Sequence, residues 1–504
     1  MLIFKLKSVQ NMKLSFTFRN SLYAVSLLLA LTACGDEFLE RSPADQINTN
    51  QFYRTASDLE SATLAVYTAF QSQQYFGESW RIDETPSDDS RQNFGAAIDN
   101  FSVTAGAPEV LSYWSGRYRA ITLANVVLER APLSEASSEV VTQVMAEASF
   151  LRAITYYDLV RVFGGVPLIS TPPSLDQELL LPRASVDEVY EFIKADLTFA
   201  AANLPLERDF GRATSGAAKS FLASVHLTLR EYEAARDLSL EVINSGVYEL
   251  VADYGDLWVH PSSDNNSESV FEIQYAGCES WGTGNPRQAF FSPWNQGITK
   301  NTDGWGSLVP TDPSQDNPGT TAADIWEDND TRRYWSMMEP GNYYPTLNPG
   351  DGGYTYPNDG AGGATRNIKK YVMGGGSNVC FMSTPMNGSV MRFSEVILIY
   401  AEAVNEMSGG LSLNQEVLDL VNSIRARAEV EPLEFLDREK IELERRREFM
   451  FESKRWFDIL RKGNTRAVEL MRLSGRTLDE TKLLFPIPAS ELEINPNLEQ
   501  NPGY

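Results

Sequence analysis

Histidine and cysteine are both scarce in this chain. Its 504 residues include two histidines, His226 and His260, and three cysteines, of which Cys278 and Cys380 lie far from the amino terminus. With only two histidines, the sequence argues against a histidine-ligated metal centre and against a catalytic nucleophile that needs a histidine base. Sequence signatures of metalloproteases, phosphate-binding loops and serine hydrolases are also missing. A hydrolase that uses two carboxylates leaves no such signature, so that alternative stays open.

Basic residues are outnumbered, and long apolar segments are missing beyond the amino terminus. The 43 lysines and arginines face 68 acidic residues, which gives a formal net charge of −25. So acidic a chain argues against nucleic acid or an anionic lipid surface as a partner. No later apolar run reaches the ~20 residues of a membrane-spanning helix.

A secretory leader is present instead. Lys13 and Arg19 precede an apolar run over residues 22–31, and small residues come just before Cys34. This is the layout of a bacterial signal peptide, and a cysteine in that place is where a lipid is attached. We therefore predict a lipoprotein signal peptide over residues 1–33 and a lipid anchor on Cys34.

Apolar residues recur at the spacing of a helix face in several segments. Residues 114–128 carry apolar side chains at steps of four, three, four and three, and residues 393–407 repeat this spacing. Two shorter helices, 217–228 and 232–244, carry small residues that allow close approach, as in tetratricopeptide-type pairs. A single charged helix is predicted from about residue 439 to 461. The pattern predicts a mainly α fold.

Residues 277–363 differ from the rest of the chain. These 87 residues hold 14 of the 34 glycines, 9 of the 25 prolines and 5 of the 9 tryptophans. A disordered segment would lack the aromatic residues. An ordered ligand-binding region needs loops to shape a surface and flat side chains to line it. We therefore predict a loop-rich, aromatic-rich insert that recognises a ligand.

Clusters of opposite charge have structural rather than catalytic interpretations. Asp328, Asp330, Arg332 and Arg333 are predicted to form loop-fixing ion pairs. Glu442 and Arg446 lie four residues apart on the charged helix, which favours a solvated or interdomain salt-bridged face. Arg152 and Arg161, within an apolar helix, are predicted to join helices by forked hydrogen bonds. Catalysis by these groups is not expected.

Several motifs, in order along the chain, resemble those of the SusD/RagB family of surface lipoproteins. They are Cys34 with Asp36, Phe38, Leu39 and Glu40; residues 147–153 leading into 156–168, which end in Phe163-Gly164-Gly165-Val166-Pro167-Leu168; residues 211–214; residues 392–406; Asn422, Arg425 and Arg427; residues 444–461; residues 485–488; and residues 500–504. The resemblance covers essentially the whole mature chain. It implies a tetratricopeptide-like helical scaffold, with an amino-terminal helical region over residues 34–260 and a carboxy-terminal region over 261–504 that includes the insert.

The resemblance also implies a function. Such proteins sit on the cell outer membrane as a lid on a TonB-dependent (SusC-like) transporter barrel. They capture an oligosaccharide, or a peptide in some relatives, and pass it inward without cutting it. The alternatives are a helical scaffold for protein partners and, ranked last, a surface glycosidase with a carboxylate pair. No cofactor is predicted, and the sequence neither predicts nor excludes a structural calcium ion.

The candidate ligand residues are side chains in loops, where an indole or phenol face can stay open for a sugar ring. Three come from the glycine- and proline-rich insert, two from an amino-terminal loop that the resemblance brings in, and two tyrosines have a weaker claim. They are Trp281, Trp294, Trp305, Trp80, Arg81, Tyr343 and Tyr344. The competing interpretation for each is a hydrophobic anchor that pins its loop.

Overall fold

Helices dominate the part of the chain that the computed structural model describes. That part is residues 52–504 without 96, 173–179, 208, 276, 278–283, 299–303, 315, 349, 351 and 375–382. Cys34 and the signal peptide lie outside these residues. Residues Thr55–Tyr504 form one compact unit. Among the described residues, no helix is both long and apolar enough to cross a membrane.

The described residues contain fifteen α-helices and ten short strands. The helices are α1 Ala56–Phe70, α2 Trp80–Asp83, α3 Pro108–Arg130, α4 Ser138–Phe163, α5 Val186–Asn203, α6 Ser215–Thr228, α7 Tyr232–Ile243, α8 Arg287–Phe291, α9 Thr331–Ser336, α10 Phe393–Met407, α11 Gln415–Arg427, α12 Arg438–Glu448, α13 Arg455–Leu460, α14 Asn464–Leu473 and α15 Ala489–Ile494. The strands are β1 Ser90–Gln92, β2 Ser269–Ile273, β3 Leu308–Pro310, β4 Met337–Met338, β5 Tyr343–Tyr344, β6 Tyr354–Thr355, β7 Asn367–Ile368, β8 Gly388–Arg392, β9 Leu411–Ser412 and β10 Leu436–Asp437. They form five antiparallel pairs, β1–β3, β2–β8, β4–β7, β5–β6 and β9–β10.

The amino-terminal helices pack one on the next along the chain. α4 lies against α3 and α5, α6 lies against α5 and α7, and α7 also contacts α10. Arg152 joins three of these helices, as predicted, because its Nε and Nη2 donate to Asp196 at 2.8 Å and its Nη1 donates to Asn125 at 2.7 Å. Arg161 instead donates within its own helix, to Asp158 at 2.8 Å and to the Tyr157 carbonyl at 3.0 Å. This pairwise stacking is typical of helical-repeat scaffolds. The predicted mainly helical fold is confirmed.

The structure confirms most of the helix predictions and corrects one. The stripe over 114–128 lies in α3, and the stripe over 393–407 coincides with α10. The single charged helix predicted over 439–461 is wrong, because α12 ends at Glu448 and α13 begins only at Arg455. Phe451 and Ser453 between them have φ angles of 63° and 61°. A right-handed helix cannot continue through left-handed residues, so the chain turns there.

The glycine-rich insert is built around an aromatic core of its own. Phe290, Tyr344 and Tyr356 from the insert pack with Trp258 and Tyr371 from the flanking segments, and all five are buried. The described part of the insert is therefore ordered, with short strands and helices between its loops.

A buried network of ion pairs holds α12 against this loop-rich region. The guanidinium of Arg332 is fully buried and donates to Asp330 at 2.8 Å, to Glu444 at 2.6 Å and to Glu448 at 3.3 Å. Arg392, in β8, reaches the other oxygen of Glu448 at 2.9 Å. Of the four residues predicted to form loop-fixing ion pairs, Asp330 and Arg332 pair with each other, whereas Arg333 pairs with Glu339. Two separate segments thus meet on two glutamates of α12.

The charged face of α12 is buried, so of the two predicted alternatives the salt-bridged face is observed and the solvated one is not. Glu442 bonds to Arg455 at 2.9 Å and Lys462 at 2.8 Å, while Arg446 bonds to Asp89 at 2.6 Å. Burial alone would raise the pKa of Glu442, but its two cationic neighbours hold that pKa below its ordinary value. The helix is salt-bridged to other segments rather than to itself.

The neighbouring arginines Arg332 and Arg333 provide a matched test of this network. Removal of Arg332 takes one positive partner from each of three buried carboxylates, so Arg332→Ala should lower the free energy of unfolding by about 3–5 kcal/mol. Arg333 pairs with Glu339 at 2.8 Å and its side chain is 41% exposed, so Arg333→Ala should cost about 0–1 kcal/mol. Urea unfolding measures both. Equal losses would contradict the buried network.

Candidate functional site

Several loops converge at the edge of the β1–β3 pair. Gln92 lies opposite Leu308 in the register of this pair. Just beyond it, the backbone N–H of Asn93 donates to the carbonyl of Ser307 at 2.9 Å. The Asn93 side-chain amide then donates to the carbonyl of Gly362 at 2.8 Å. Asn93 therefore ties the amino-terminal loop to two loops of the insert.

Trp294 lies beside this junction and presents its ring to solvent. Its backbone forms a parallel bridge with Gly304. A Cβ atom on Gly362 would lie 2.8 Å from the Trp294 nitrogen, and Gly362 has a φ of 61°. Only glycine allows this close approach in that conformation. The backbone of Trp294 is thus fixed from two sides, while the residue remains 58% exposed.

Further exposed aromatic residues occur in the amino-terminal loop and in the insert. Tyr343 is 52% exposed and Phe94 is 57% exposed. The hydroxyl of Tyr354 donates to Gln296, two residues from Trp294, at 3.2 Å. Together with Trp305, the residues Phe94, Trp294, Tyr343 and Tyr354 are called here the aromatic surface. It offers exposed ring faces on a framework of hydrogen-bonded loops.

A polar cleft of about 270 Å³ adjoins the aromatic surface. Asn93 and Arg366 line it together with Arg91, Asp312 and Thr365. These side chains supply amide, hydroxyl and guanidinium groups, which suit a ligand rich in hydroxyls. We call this the polar cleft.

The charges of the polar cleft are held in place by ion pairs. Arg366 pairs with Asp312 and donates from Nε to Glu339 at 2.9 Å. Burial would raise the pKa of Asp312, but hydrogen bonds from Ser314 and the charge of Arg366 outweigh it and keep that pKa below its ordinary value. Asp312 is therefore ionised at neutral pH. Among the described residues, no group of three or more acidic, histidine or cysteine side chains is placed to hold a metal ion.

The structure separates the sequence candidates by exposure. Trp294 and Tyr343 belong to the aromatic surface with open faces. Trp305 is half-buried and packs on Phe290, with ring centres 4.9 Å apart. Arg81 stacks over the ring of Trp80 at 4.5 Å and bonds to Glu78 at 2.7 Å, which leaves its side chain 21% exposed. Trp281 lies outside the described residues, so its role stays a prediction.

Trp80 and Tyr344 lack the open ring face that a stacking role requires. Both are completely buried. The Trp80 ring packs on Phe290 with centres 5.3 Å apart, and the Tyr344 hydroxyl donates to the carbonyl of Met337 at 3.0 Å. They act as anchors of the aromatic core, which corrects the expectation that they contact a ligand.

The sequence prediction missed Asn93, Phe94, Tyr354 and Arg366. Phe94 precedes Gly95, and Tyr354 follows two glycines. The rule that selected Trp294, an aromatic residue among glycines, would have found both. Arg366 lies just beyond the insert and carries no local signal, because only the folded loops bring it to Asp312 and Glu339.

Comparison with known proteins places this architecture in a family. A SusD-like protein P2 of Formosa agariphila is 30% identical over 522 residues, which cover 95% of this chain and 98% of that protein. The chain belongs to the SusD family. The model of the SusD family matches residues 262–504. A second family model, described as starch-binding associating with outer membrane, matches residues 37–227.

Other SusD relatives agree with this assignment. A SusD-like protein of Bacteroides ovatus is 30% identical over 458 residues, covering 86% of this chain and 80% of that protein. A crystal structure determined with xylogluco-oligosaccharide has a TM-score of 0.79 at 26% identity, covering 87% of this chain and 97% of the other. A laminarin-binding SusD-like protein has a TM-score of 0.74 at 25% identity and covers 90% and 100%.

Proposed function

We propose that this chain is a non-catalytic, cell-surface lipoprotein that captures oligosaccharides and delivers them to a partner TonB-dependent transporter in the outer membrane. The observation that carries the proposal is the exposed indole of Trp294, held by fixed loops beside the polar cleft. Relatives that bind laminarin or were crystallised with xylogluco-oligosaccharide support the ligand class.

The aromatic surface and the polar cleft offer the two kinds of contact that a sugar needs. A pyranose ring has apolar C–H faces, which gain by covering an exposed indole, and equatorial hydroxyls, which need hydrogen-bond partners. Trp294 supplies the first, and Asn93, Thr365 and Arg366 supply the second. A shallow site of this kind binds weakly, and ~1 mM affinity corresponds to about −4 kcal/mol. Capture then depends on high local ligand concentration and on the partner barrel.

The carboxylates at the polar cleft favour binding without cleavage. A glycosidase needs two carboxyl groups, one of them protonated at the working pH. Asp312 and Glu339 are both bound to Arg366. Burial would raise the pKa of Glu339, but hydrogen bonds from Arg333 and Arg366 hold it below its ordinary value. Neither group is therefore suited to protonate a leaving sugar.

The alternative of a purely protein-binding scaffold requires the tryptophans of the insert to turn inward. Trp294 does the opposite, which favours a ligand surface. Peptide capture remains the second candidate, because an exposed aromatic ring also accepts an apolar side chain. A panel that contains both ligand types separates the two.

Titration calorimetry on the 35–504 fragment tests the proposal. We expect saturable binding of at least one oligosaccharide from a panel of xyloglucan, laminarin and starch fragments. Trp294→Ala should weaken it at least tenfold, about 1.4 kcal/mol, because the stacking face is lost. Phe210, 79% exposed and outside the aromatic surface, provides the matched control, and Phe210→Ala should leave the affinity unchanged.

Three outcomes would contradict this account. Equal losses in Trp294→Ala and Phe210→Ala would remove the aromatic surface from recognition. Recovery of a shortened sugar by chromatography would point to the glycosidase alternative. Binding of peptides and of no sugar would assign the surface to peptide capture.

The surface location is tested at Cys34. We expect Cys34→Ser to abolish labelling by radioactive palmitate and to release the protein from the outer-membrane fraction, since the lipid is the proposed attachment. Cys278→Ser is the control and should keep both. Unchanged membrane recovery of Cys34→Ser would refute the anchor.

A further inference from the structure

A second cavity, of about 610 Å³, lies among the helices. Its lining residues come from α1–α6, α8, α10 and α12–α14, from the β2–β8 pair and from connecting segments, and it shares none with the polar cleft. Thr228, Asn464 and Thr481 line it and are exposed or half-buried, so it opens to solvent there. Its volume falls within the range of small-molecule sites.

Aromatic side chains form much of the cavity wall. Tyr75, Phe76, Tyr157, Phe221 and Phe457 all line it, and four of them are less than 7% exposed. Walls of this kind favour a flat, apolar guest, because ring faces gain most from contact with another flat surface. The cavity therefore differs in shape and polarity from the aromatic surface.

Arg287, which lines the same cavity, carries a buried charge without a counter-ion. It is 2% exposed, its Nη2 donates to Ser79 at 3.2 Å, and its Nε has no acceptor. Among the described residues, no carboxylate lies within ion-pair distance of it. Its guanidinium lies 3.9 Å from the ring centre of Phe76. Arginine stays charged in proteins, and a buried charge normally has a partner.

Two other arginines of the lining also have unused donors. Nε of Arg117 and Nη1 of Arg445 have no acceptor, although each residue reaches a carboxylate elsewhere, at Asp158 and Asp458. The buried Glu84 does not supply the missing charge, because burial and the nearby Asp89 raise its pKa to about 8 and so keep it protonated at neutral pH.

We propose that this cavity binds a small organic acid with a flat, apolar body, whose carboxylate pairs with Arg287. The acid's oxygens accept from the guanidinium of Arg287, and its body lies against the aromatic wall. This site is separate from the sugar surface and does not depend on the proposed function.

The test uses 4-hydroxycinnamate as the probe, with its methyl ester and acetate for comparison, in calorimetry on the 35–504 protein. The acid should bind saturably and at least tenfold more tightly than the ester, which lacks the charge. Acetate should bind much more weakly, because it lacks the flat body. Arg287→Gln should abolish the preference for acid over ester. Ser389→Phe adds a ring at a half-buried lining position. It should abolish the binding of both the acid and the ester.

Trp294→Ala separates this inference from the proposed function, since it should leave the acid's affinity unchanged. Failure of the acid to bind, equal affinity for acid and ester, or loss of acid binding in Trp294→Ala would each overturn the proposal. Thermal unfolding checks that each variant is folded. If Arg287→Gln does not fold, two results still test the proposal. They are the ratio of the affinities for acid and ester in the unaltered protein and the loss of binding in Ser389→Phe.

Discussion

Buried charge on α12 is the constraint on which the rest of the structure depends. Glu444 and Glu448 have almost no exposure, so each needs positive partners in the folded state. Those partners come from distant parts of the chain, including Arg332 before β4, Arg392 in β8 and Arg427 in α11. Because the carboxylates are satisfied only when all these segments are in place, the network couples the loop-rich region to the helical scaffold.

Ion pairs between distant segments also position the aromatic surface. Arg366 binds Asp312 and Glu339, and this fixes the loop that carries Gly362 against Trp294. The insert has little regular secondary structure. Side-chain ion pairs and close backbone contacts therefore hold its loops in place, as longer strands would elsewhere. A ring held in this way loses little further freedom when a sugar covers it, which favours binding by a shallow surface.

Much of the scaffold follows from the sequence, whereas the site follows only in part. Periodic apolar residues located α3 and α10, since helix faces leave a local signal. The exposure of Trp294 and the burial of Trp80 leave no such signal, because the sequence places both tryptophans in loops. Only the folded structure shows that Trp80 begins a helix and packs on Phe290. The break between α12 and α13 was missed for a similar reason: charged residues favour a helix on both sides of it.

A crystal structure of the protein with its tightest-binding oligosaccharide tests the central claim most directly. The account predicts a sugar ring lying on the indole of Trp294, with its hydroxyls within hydrogen-bond distance of Asn93 and Arg366. A sugar bound elsewhere, for instance in the 610 Å³ cavity beside Arg287, would contradict it.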